Sequence, residues 1–552
     1  MEAHVKVLVL NISIFLFIIS SSISYSQVIT QWSSTYNGQA NDTDEVTSMK
    51  VDNQGNVYIT GYSCGSSTKK DFATIKYNSA GVQLWVAIYN NNELNGDDIA
   101  SAVEVDASGN VYVTGQSAGA GTFADYLTIK YSSTGEQLWI ARYNGKGNDD
   151  DKAFDIAIDG LGSVYVTGYS VGAVSSEDFT TIKYTSAGKE QWVAFYNNDK
   201  VSDIDIATSL ALDGSGNVYV TGYSVGNGTA EDYATVKYNT SGDEIWTARY
   251  NGDGNNSDIT SSLAVDASGN VYVTGFSIGN GTSEDYATIK YNTSGDMQWV
   301  KRFNGVSSQY DIATSIDIDN SDNVYVTGYS YNIPSSEDYM TIKYNSNGDE
   351  QWAAAYDGTG GDFDIANIVK VDNSGNVYVS GYSYGKNSLE DYVTVKYNSK
   401  GIEQWTEIFN GKANGSDIVT SLALDNDGNI YVTGYSYEGS TSIDYVTLKY
   451  SQTVGISQTY NSVPEKFSLQ QNYPNPFNPL TTINYRLGVT NDVSLKIFDI
   501  LGNEVANLVN QKQNAGTYSF EFDAHDLPSG IYFYSLIMNG ITAGTKRMVL
   551  LK

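Results

Sequence analysis

The spacing of tryptophan constrains this chain more than any other feature of its sequence. All eight Trp residues follow one another at intervals of 53 or 54 residues. They are Trp32, Trp85, Trp139, Trp192, Trp246, Trp299, Trp352 and Trp405. A period of this length predicts an array of supersecondary units, none of which buries its apolar face alone. The sequence therefore predicts eight structural repeats.

Each repeat contains four strand-like segments. In the fifth repeat they are ITSSLAVD, NVYVTGFS, DYATIKYN and DMQWVKRFN, which are rich in residues that pleated sheets prefer. Turns such as DASGN and NTSGD place Gly and Asn where a tight hairpin needs a positive φ. Four strands per repeat are typical of a propeller blade. We therefore predict an all-β, eight-bladed β-propeller over residues 27–452.

The two ends of the array predict a closed ring. The first repeat begins with a Trp strand alone, TQWSSTYN, and the last ends at DYVTLKYS with no Trp strand after it. If the N-terminal strand completes the eighth blade, no sheet edge is left unpaired.

Two aspartate series keep the same period. The first opens the first strand of each repeat and consists of Asp44, Asp98, Asp151, Asp205, Asp258, Asp311, Asp364 and Asp417. The second opens the third strand and consists of Asp71, Asp125, Asp178, Asp232, Asp285, Asp338, Asp391 and Asp444. In a four-stranded meander both series lie at the rim that carries the long, variable loops, and loops on a rigid scaffold commonly form binding surfaces. We expect this rim to be strongly acidic, with the first series as candidate binding residues.

Each periodic series also has a structural interpretation. A repeated Asp at a strand start commonly caps loop amides, and a Trp ladder commonly packs between blades rather than stacking on sugars. The Lys series that runs from Lys76 to Lys449 is expected to lie over aromatic surface or to pair with carboxylates. Loops such as DNDGN and NGDGNNSD have a calcium-like arrangement of Asp and Asn but lack the Glu that closes a complete calcium loop. We therefore predict no cofactor and no metal site, with calcium in these loops as the alternative.

The charge of the chain limits its partners. The net charge is −32, and the excess of acid falls in the repeats because the last segment is balanced. Nucleic acid is excluded as a partner, since a phosphate backbone requires a basic surface. Cations, cationic surfaces and neutral polymers such as glycans remain candidates.

The residue inventory disfavours an enzyme. His4 falls in the N-terminal leader, His525 falls in the last segment, and Cys64 is the single cysteine. A histidine-dependent triad or a His or Cys zinc site in the repeats is thereby excluded. Paired carboxylates of the glycosidase type stay open because Asp is abundant. No catalytic residues are predicted.

The first 26 residues predict a signal peptide. Lys6 precedes the apolar run VLVLNISIFLFIIS, and Ser24 and Ser26 have the spacing that a signal peptidase recognises. No other apolar run approaches the length of a membrane span. We expect an exported protein with no transmembrane span after cleavage.

The C-terminal segment differs from the repeats in composition. A linker is predicted at residues 453–466, and the alternating runs of residues 467–552 predict a small Ig-like β-sandwich.

Both regions resemble known families. The motif VD..GNVYVTG, followed by DY.TIKY and a Trp strand, resembles the SBBP-type bacterial β-propeller repeat, which implies the propeller fold and an extracellular setting. The motifs YPNPFNP, LKIFDILGNEV, LPSGIYFY and KRMVLLK, in this order, resemble the Por-type C-terminal sorting domain of type IX secretion cargo. The resemblance implies that the type IX secretion machinery is a partner. The resemblance also implies the residues of the sorting signal, which in this chain are Pro474, Asn475, Pro476, Asp499, Gly502, Gly530, Tyr532 and Lys546.

These observations favour a secreted or cell-surface propeller that binds an extracellular glycan or protein for adhesion or capture. Two alternatives stay open. A polysaccharide-degrading enzyme would cluster non-periodic acids on the variable-loop face, and a purely structural surface component would self-associate without a ligand.

Overall fold

The computed structural model describes residues 27–552 except 67, 92–95, 199–203, 227, 307–308, 333–335, 454–455, 460–466, 488, 490 and 515. The predicted signal peptide therefore lies outside the described residues. The described chain divides into two compact units, residues 28–452 and residues 453–552. Among these residues, no helix is long and apolar enough to cross a membrane.

Seven blades of the first unit are each formed by a continuous stretch of chain that follows the strand β1 (Gln27–Tyr36). Blade one consists of β2 (Asp44–Val51), β3 (Val57–Cys64), β4 (Lys70–Tyr77) and β5 (Gln83–Tyr89). Blade two consists of β6 (Asp98–Val105), β7 (Val111–Ala118), β8 (Ala124–Tyr131) and β9 (Gln137–Tyr143). Blade three consists of β10 (Asp151–Ile158), β11 (Val164–Val171), β12 (Glu177–Tyr184) and β13 (Glu190–Tyr196). Blade four consists of β14 (Asp205–Leu212), β15 (Val218–Val225), β16 (Glu231–Tyr238) and β17 (Glu244–Tyr250). Blade five consists of β18 (Asp258–Val265), β19 (Val271–Ile278), β20 (Glu284–Tyr291) and β21 (Met297–Phe303). Blade six consists of β22 (Asp311–Ile318), β23 (Val324–Asn332), β24 (Ser336–Tyr344) and β25 (Glu350–Tyr356). Blade seven consists of β26 (Asp364–Val371), β27 (Val377–Tyr384), β28 (Glu390–Tyr397) and β29 (Glu403–Phe409).

Blade eight joins the two ends of the repeat array. Its chain-continuous strands are β30 (Asp417–Leu424), β31 (Ile430–Gly439) and β32 (Ser442–Thr453), and β1 adds to β32 as the fourth strand. Gln31 Nε2 on β1 donates a 2.7 Å hydrogen bond to Ser451 Oγ on β32. The described residues of the first unit thus form eight four-stranded sheets, which confirms the predicted all-β propeller and its closure by the N-terminal strand.

The strand register places three side chains of each blade in one row at the same rim. In blade one, Asp44 on β2 faces Ser63 on β3, and Ser63 faces Asp71 on β4. The same Asp–Ser–Asp row recurs in the other blades, for example as Asp258, Ser277 and Asp285.

The hydrophobic core lies between neighbouring blades. Tyr58 and Phe72 of blade one pack with Val111, Val113 and Leu127 of blade two, and equivalent clusters recur between other neighbours. A blade buried on both faces requires nearly continuous apolar strands, which is the pattern of the VYVTG segments. The first strands line a central channel.

The C-terminal unit contains two four-stranded sheets. One has the order β33 (Ile456–Thr459), β38 (Gly516–Asp523), β35 (Leu480–Leu487), β34 (Ser468–Leu469). The other has the order β37 (Glu504–Gln513), β36 (Asn491–Phe498), β39 (Gly530–Met538), β40 (Ile541–Leu550). Ile483, Leu495, Tyr534 and Met548 are among the buried side chains that pack together in this unit. The sandwich predicted for this segment is confirmed, while β33 forms within the stretch predicted as a linker.

Candidate functional site

The variable-loop rim of the propeller consists of the links between the second and third strands of each blade and the links between successive blades. These links differ in sequence from blade to blade, as GAGTF and GKNSL show for blades two and seven. The opposite rim carries short hairpins of nearly constant sequence. Any surface that distinguishes one blade from another therefore lies mainly on the variable-loop rim.

The first aspartate series lies beneath this rim. All eight side chains are buried, with at most 1% of each residue exposed. In six blades Oδ2 accepts a hydrogen bond of 2.5–2.6 Å from the N–H of a loop glycine, as Asp44 does from Gly38. Blades two and four use the N–H groups of Asn91 and Asn198 instead. These aspartates therefore hold the loops that join successive blades.

The second aspartate series caps the other variable loops. Asp71 accepts a 2.7 Å hydrogen bond from the hydroxyl of Thr68, and the same contact with Thr or Ser three residues earlier recurs in six further blades. These residues are 2–8% exposed. The sixteen carboxylates thus lie under the rim, and the strongly acidic surface that we expected from them does not form. A direct contact of the first series with a ligand stays a prediction.

Carboxylates of the two series face each other across the blade interfaces. Burial, together with the charge of Asp44, raises the pKa of Asp444 to about 6. Burial similarly raises the pKa of Asp205 to about 6, with Asp178 of the preceding blade adding to the effect. At these two interfaces a neighbouring acid therefore disfavours the ionised form of Asp444 and of Asp205.

Three blades supply an arginine to this row, a role that the sequence analysis missed. Arg142, Arg249 and Arg302 stand three residues after the Trp of blades two, four and five and bind the second-series aspartate at 3.0, 2.8 and 2.7 Å. Each also donates to the row serine, as Arg302 does to Ser277. The other blades carry Ile88, Phe195, Ala355, Ile408 and Thr35 at this position. An Arg three residues after the Trp was the signal available in the sequence. Which side chains this Arg contacts depends on the register of the fourth strand.

The constant rim is built from self-contained turns. Asp52 Oδ1 accepts hydrogen bonds of 2.9 Å from the N–H groups of Gln54 and Asn56, and Oδ2 accepts the Tyr58 hydroxyl at 2.9 Å. Burial alone would raise the pKa of Asp52, but these hydrogen bonds hold it below its usual value. The DNDGN loop has the same contacts around Asp425. The carboxylates of Asp52 and Asp425 are thus occupied by protein donors.

The Trp and Lys series lie between blades. The Trp85 ring is 6.3 Å from the ring of Tyr131 in the next blade, and its Nε1–H donates to the carbonyl of Ser133. Lys76 Nζ donates to the same carbonyl and lies 4.9 Å from the centre of the Tyr58 ring. Equivalent contacts recur around the ring. These residues join each blade to the next.

The residues carried over from the sorting-domain resemblance lie in the C-terminal unit. Asn475 Oδ1 accepts a 2.9 Å hydrogen bond from Val549 N–H, which ties the segment of Pro474 and Pro476 to β40. Asp499 accepts from the N–H groups of Leu501 and Asn503 in a turn that contains Gly502. Asn503 also donates its side-chain amide to Asp499. Tyr532 donates to the Pro528 carbonyl, and Gly530 opens β39. Lys546 on β40 faces Tyr534 on β39.

Comparison with known families agrees with both parts of the fold. The family described as a β-propeller repeat matches residues 31–66, 138–173, 201–228, 245–281, 298–333 and 404–439. The family described as a secretion system C-terminal sorting domain matches residues 471–551. The chain carries SBBP repeats and a Por secretion sorting domain. The sorting domain implies recognition by the type IX secretion machinery and delivery to the cell surface or exterior.

Individual relatives of this chain are distant. An uncharacterised WD repeat-containing protein of Acanthamoeba polyphaga mimivirus is 22% identical over 486 residues, which cover 69% of this chain and 32% of the relative. PorZ, a surface component of the type IX secretion system of Porphyromonas gingivalis, is 14% identical with a TM-score of 0.39, covering 90% of this chain and 64% of PorZ. A protein of unknown function from Bacteroides caccae is 13% identical with a TM-score of 0.31, and the match covers 55% of this chain and 96% of that protein. These values assign no activity to the chain.

Proposed function

We propose that this protein is a non-catalytic binding module that captures an extracellular glycan or protein through its variable-loop rim. Export by the type IX system gives it access to such ligands at the cell surface or in the medium.

The observation that carries the proposal is the contrast between a repeated scaffold and unlike loops. Apolar side chains project from the variable-loop rim at positions that differ from blade to blade. Phe123 in blade two is 66% exposed, Val174 in blade three 79%, and Val306 between blades five and six 88%. Exposed aromatic and aliphatic groups on loops of a rigid scaffold favour a recognition surface.

The burial of the carboxylates supports a non-catalytic role. A glycosidase needs two acids that reach the sugar from opposite sides of the scissile bond. The two aspartate series lie beneath the loops, where hydroxyl and amide donors hold them. A polysaccharide chain therefore does not reach these acids without displacement of the loops.

A screen of immobilised glycans and of extracellular matrix proteins against residues 27–552 tests the proposal. We expect selective binding to one chemical class of ligand. Replacement of Phe123 by Ser should weaken that binding if the variable-loop rim is the recognition surface.

Leu161 provides the matched control. It is 89% exposed but stands in the hairpin between β10 and β11, on the opposite rim. Leu161→Ser should leave binding unchanged. A blank screen combined with concentration-dependent self-association would contradict the proposal and favour a structural surface component, and release of reducing sugar ends from a polysaccharide would favour the enzyme.

A further inference from the structure

A cavity of about 550 Å³ lies at the variable-loop rim where blade eight meets blade one. Its lining includes Tyr36 at the end of β1, together with Ser63 and Asp71 from the Asp–Ser–Asp row of blade one. Ser63 and Asp71 are each 5% exposed, whereas the lining residues Ile88 and Gln39 are exposed. The cavity thus has a buried polar floor and is open to solvent.

In blades four and five an arginine occupies the equivalent position. Arg249 donates to the hydroxyl and the carbonyl of Ser224, to Asp232 Oδ2 and to the hydroxyl of Tyr196 in the preceding blade. Arg302 makes the same four contacts in blade five. The two arginine side chains remain 24% and 27% exposed, so solvent reaches this position. The Tyr–Ser–Asp arrangement is therefore a guanidinium site in these blades.

Blade one has isoleucine where those blades have arginine. Ile88 stands three residues after Trp85 and faces Ala73 on the third strand, as Arg302 faces Ala287. The side chain of isoleucine has no hydrogen-bond donor. Blade one therefore supplies no cation of its own at this register position.

The acceptors of the arginine site are nevertheless present in blade one. Tyr36, Ser63 and Asp71 correspond in register to the tyrosine, serine and aspartate that bind Arg249. Asp71 Oδ2 accepts the hydroxyl of Thr68 at 2.7 Å, and the equivalent oxygen in blade four accepts a threonine hydroxyl and the guanidinium together. Among the described residues, no lysine or arginine forms an ion pair with Asp71. Blade one thus keeps the acceptors of an arginine site and lacks the arginine.

The other blades without this arginine differ from blade one at the same place. The second-series aspartate accepts the side-chain amide of Asn197 at 2.6 Å in blade three and that of Asn332 at 3.0 Å in blade six. In blade eight Lys412 lies near the aspartate. Blade seven has the larger Tyr384 where the lining of the blade-one cavity has Cys64.

We propose that the cavity at blade one binds the guanidinium of an arginine side chain presented by an extracellular polypeptide. A guanidinium has five N–H donors in a planar fork, which suits the Asp71 carboxylate, the Ser63 hydroxyl and carbonyl, and the Tyr36 hydroxyl. Val86 and Ile88 offer apolar surface to the methylene stem of the arginine. The net charge of −32 attracts cationic segments to the protein.

This inference rests on the proposed function, since it takes the variable-loop rim as the surface that captures the ligand. It narrows that ligand from a glycan or protein to a polypeptide with an accessible arginine.

Calorimetric titration of the blocked peptide acetyl-Gly-Arg-Gly-amide into protein comprising residues 27–552 tests the site. We expect one binding site. The matched peptide with citrulline keeps the shape of arginine without its charge and should bind at least roughly tenfold more weakly, because charge-assisted hydrogen bonds are the stronger ones. The matched lysine peptide should also bind more weakly, since an ammonium group lacks the planar fork that meets these acceptors together.

Three variants locate the site. Ile88→Arg places a guanidinium of the chain itself in the cavity, as Arg249 does in blade four, so it should abolish peptide binding and raise the melting temperature. Asp71→Asn removes the charge of the floor and should weaken binding roughly tenfold or more. Asp391→Asn makes the same change in blade seven, where Ile408 stands at the arginine position, and should leave binding unchanged.

The outcomes separate this site from the wider function. Absence of binding by the arginine peptide, full affinity in Ile88→Arg, or a loss of binding in Asp391→Asn alone would overturn the site in blade one. Equal affinity for the lysine peptide would overturn its assignment to guanidinium. If the screen of glycans and matrix proteins finds a ligand whose binding is the same in Ile88→Arg and in the unmodified protein, the cavity proposal fails while the capture function stands.

Discussion

At the residue scale, the buried aspartates make stability depend on pH. Burial raises the pKa of Asp417 to about 6, and the charges of Asp391 and Glu438 add to the effect, above its ordinary value of 3.8. Asp417 also lies near Tyr392. The folded state therefore holds the proton more tightly than the unfolded state, so this contribution to stability is fully present below pH 3.8 and is lost as the pH rises to about 6.

Asp417→Asn should therefore flatten the pH dependence of unfolding. We expect the free energy of unfolding of the unmodified protein to fall between pH 4.5 and pH 7. Asp417 should contribute on the order of 2 kcal/mol to this fall. Urea titrations at several pH values measure it, with the exposed Asp427→Asn as control. An unchanged slope in Asp417→Asn would contradict the assigned pKa.

Sequence patterns predicted the positions of these aspartates but not their environment. The period placed both series at strand starts, and alternation predicted the strands that carry them. Burial depends on loop glycines such as Gly38, whose N–H folds back onto Asp44. Asp71 and Asp98 belong to different blades, and their closeness follows only from the three-dimensional ring. The role of Arg302 likewise depends on its register opposite Ala287.

At the element scale, the hairpin between the third and fourth strands is a contact surface for the preceding blade. Gly188 in blade three has φ +77°, and a Cβ added there would lie 2.6 Å from the indole of Trp139 in blade two. A residue larger than Gly is therefore excluded at position 188 both by the positive φ and by the Trp139 indole of the preceding blade. This double constraint explains why these hairpins share a Gly at the same point.

A pair of Gly→Ala substitutions separates the two constraints. Gly428 has φ +76° with no atom within 4 Å of an added Cβ, so Gly428→Ala reports backbone strain alone, about 1–2 kcal/mol. Gly188→Ala adds the clash with Trp139 and should cost about 1–3 kcal/mol more, as overpacked cores do. Thermal or denaturant unfolding of the two variants measures the difference. Equal losses would mean that the indole moves aside without penalty.

At the scale of the whole molecule, closure by β1 determines whether the propeller has free edges. Removal of residues 27–36 leaves β32 with an unpaired edge and removes the Trp32 contact with Tyr431. We expect this truncated protein to unfold at lower denaturant concentration and to self-associate through the exposed edge. Size-exclusion chromatography and urea titration measure both effects.

A synthetic peptide of residues 27–36 supplies the missing strand in trans. It should bind the truncated protein and restore the monomer, whereas a scrambled peptide of the same composition should not. If the truncated protein remains monomeric with unchanged stability, the fourth strand of blade eight is dispensable and closure does not stabilise the ring.

The closing strand also sets an order of events for folding. Blades one to seven pair strands that are neighbours in sequence, so each can form as soon as its own stretch of chain is available. The hydrogen bond between Gln31 and Ser451 joins residues 420 positions apart. Contacts of such separation form late, because the entropy of closing a long loop is lost before the contact is gained. We therefore expect refolding to show a fast phase in which the blades form and a slower phase in which the first strand of the chain joins the last.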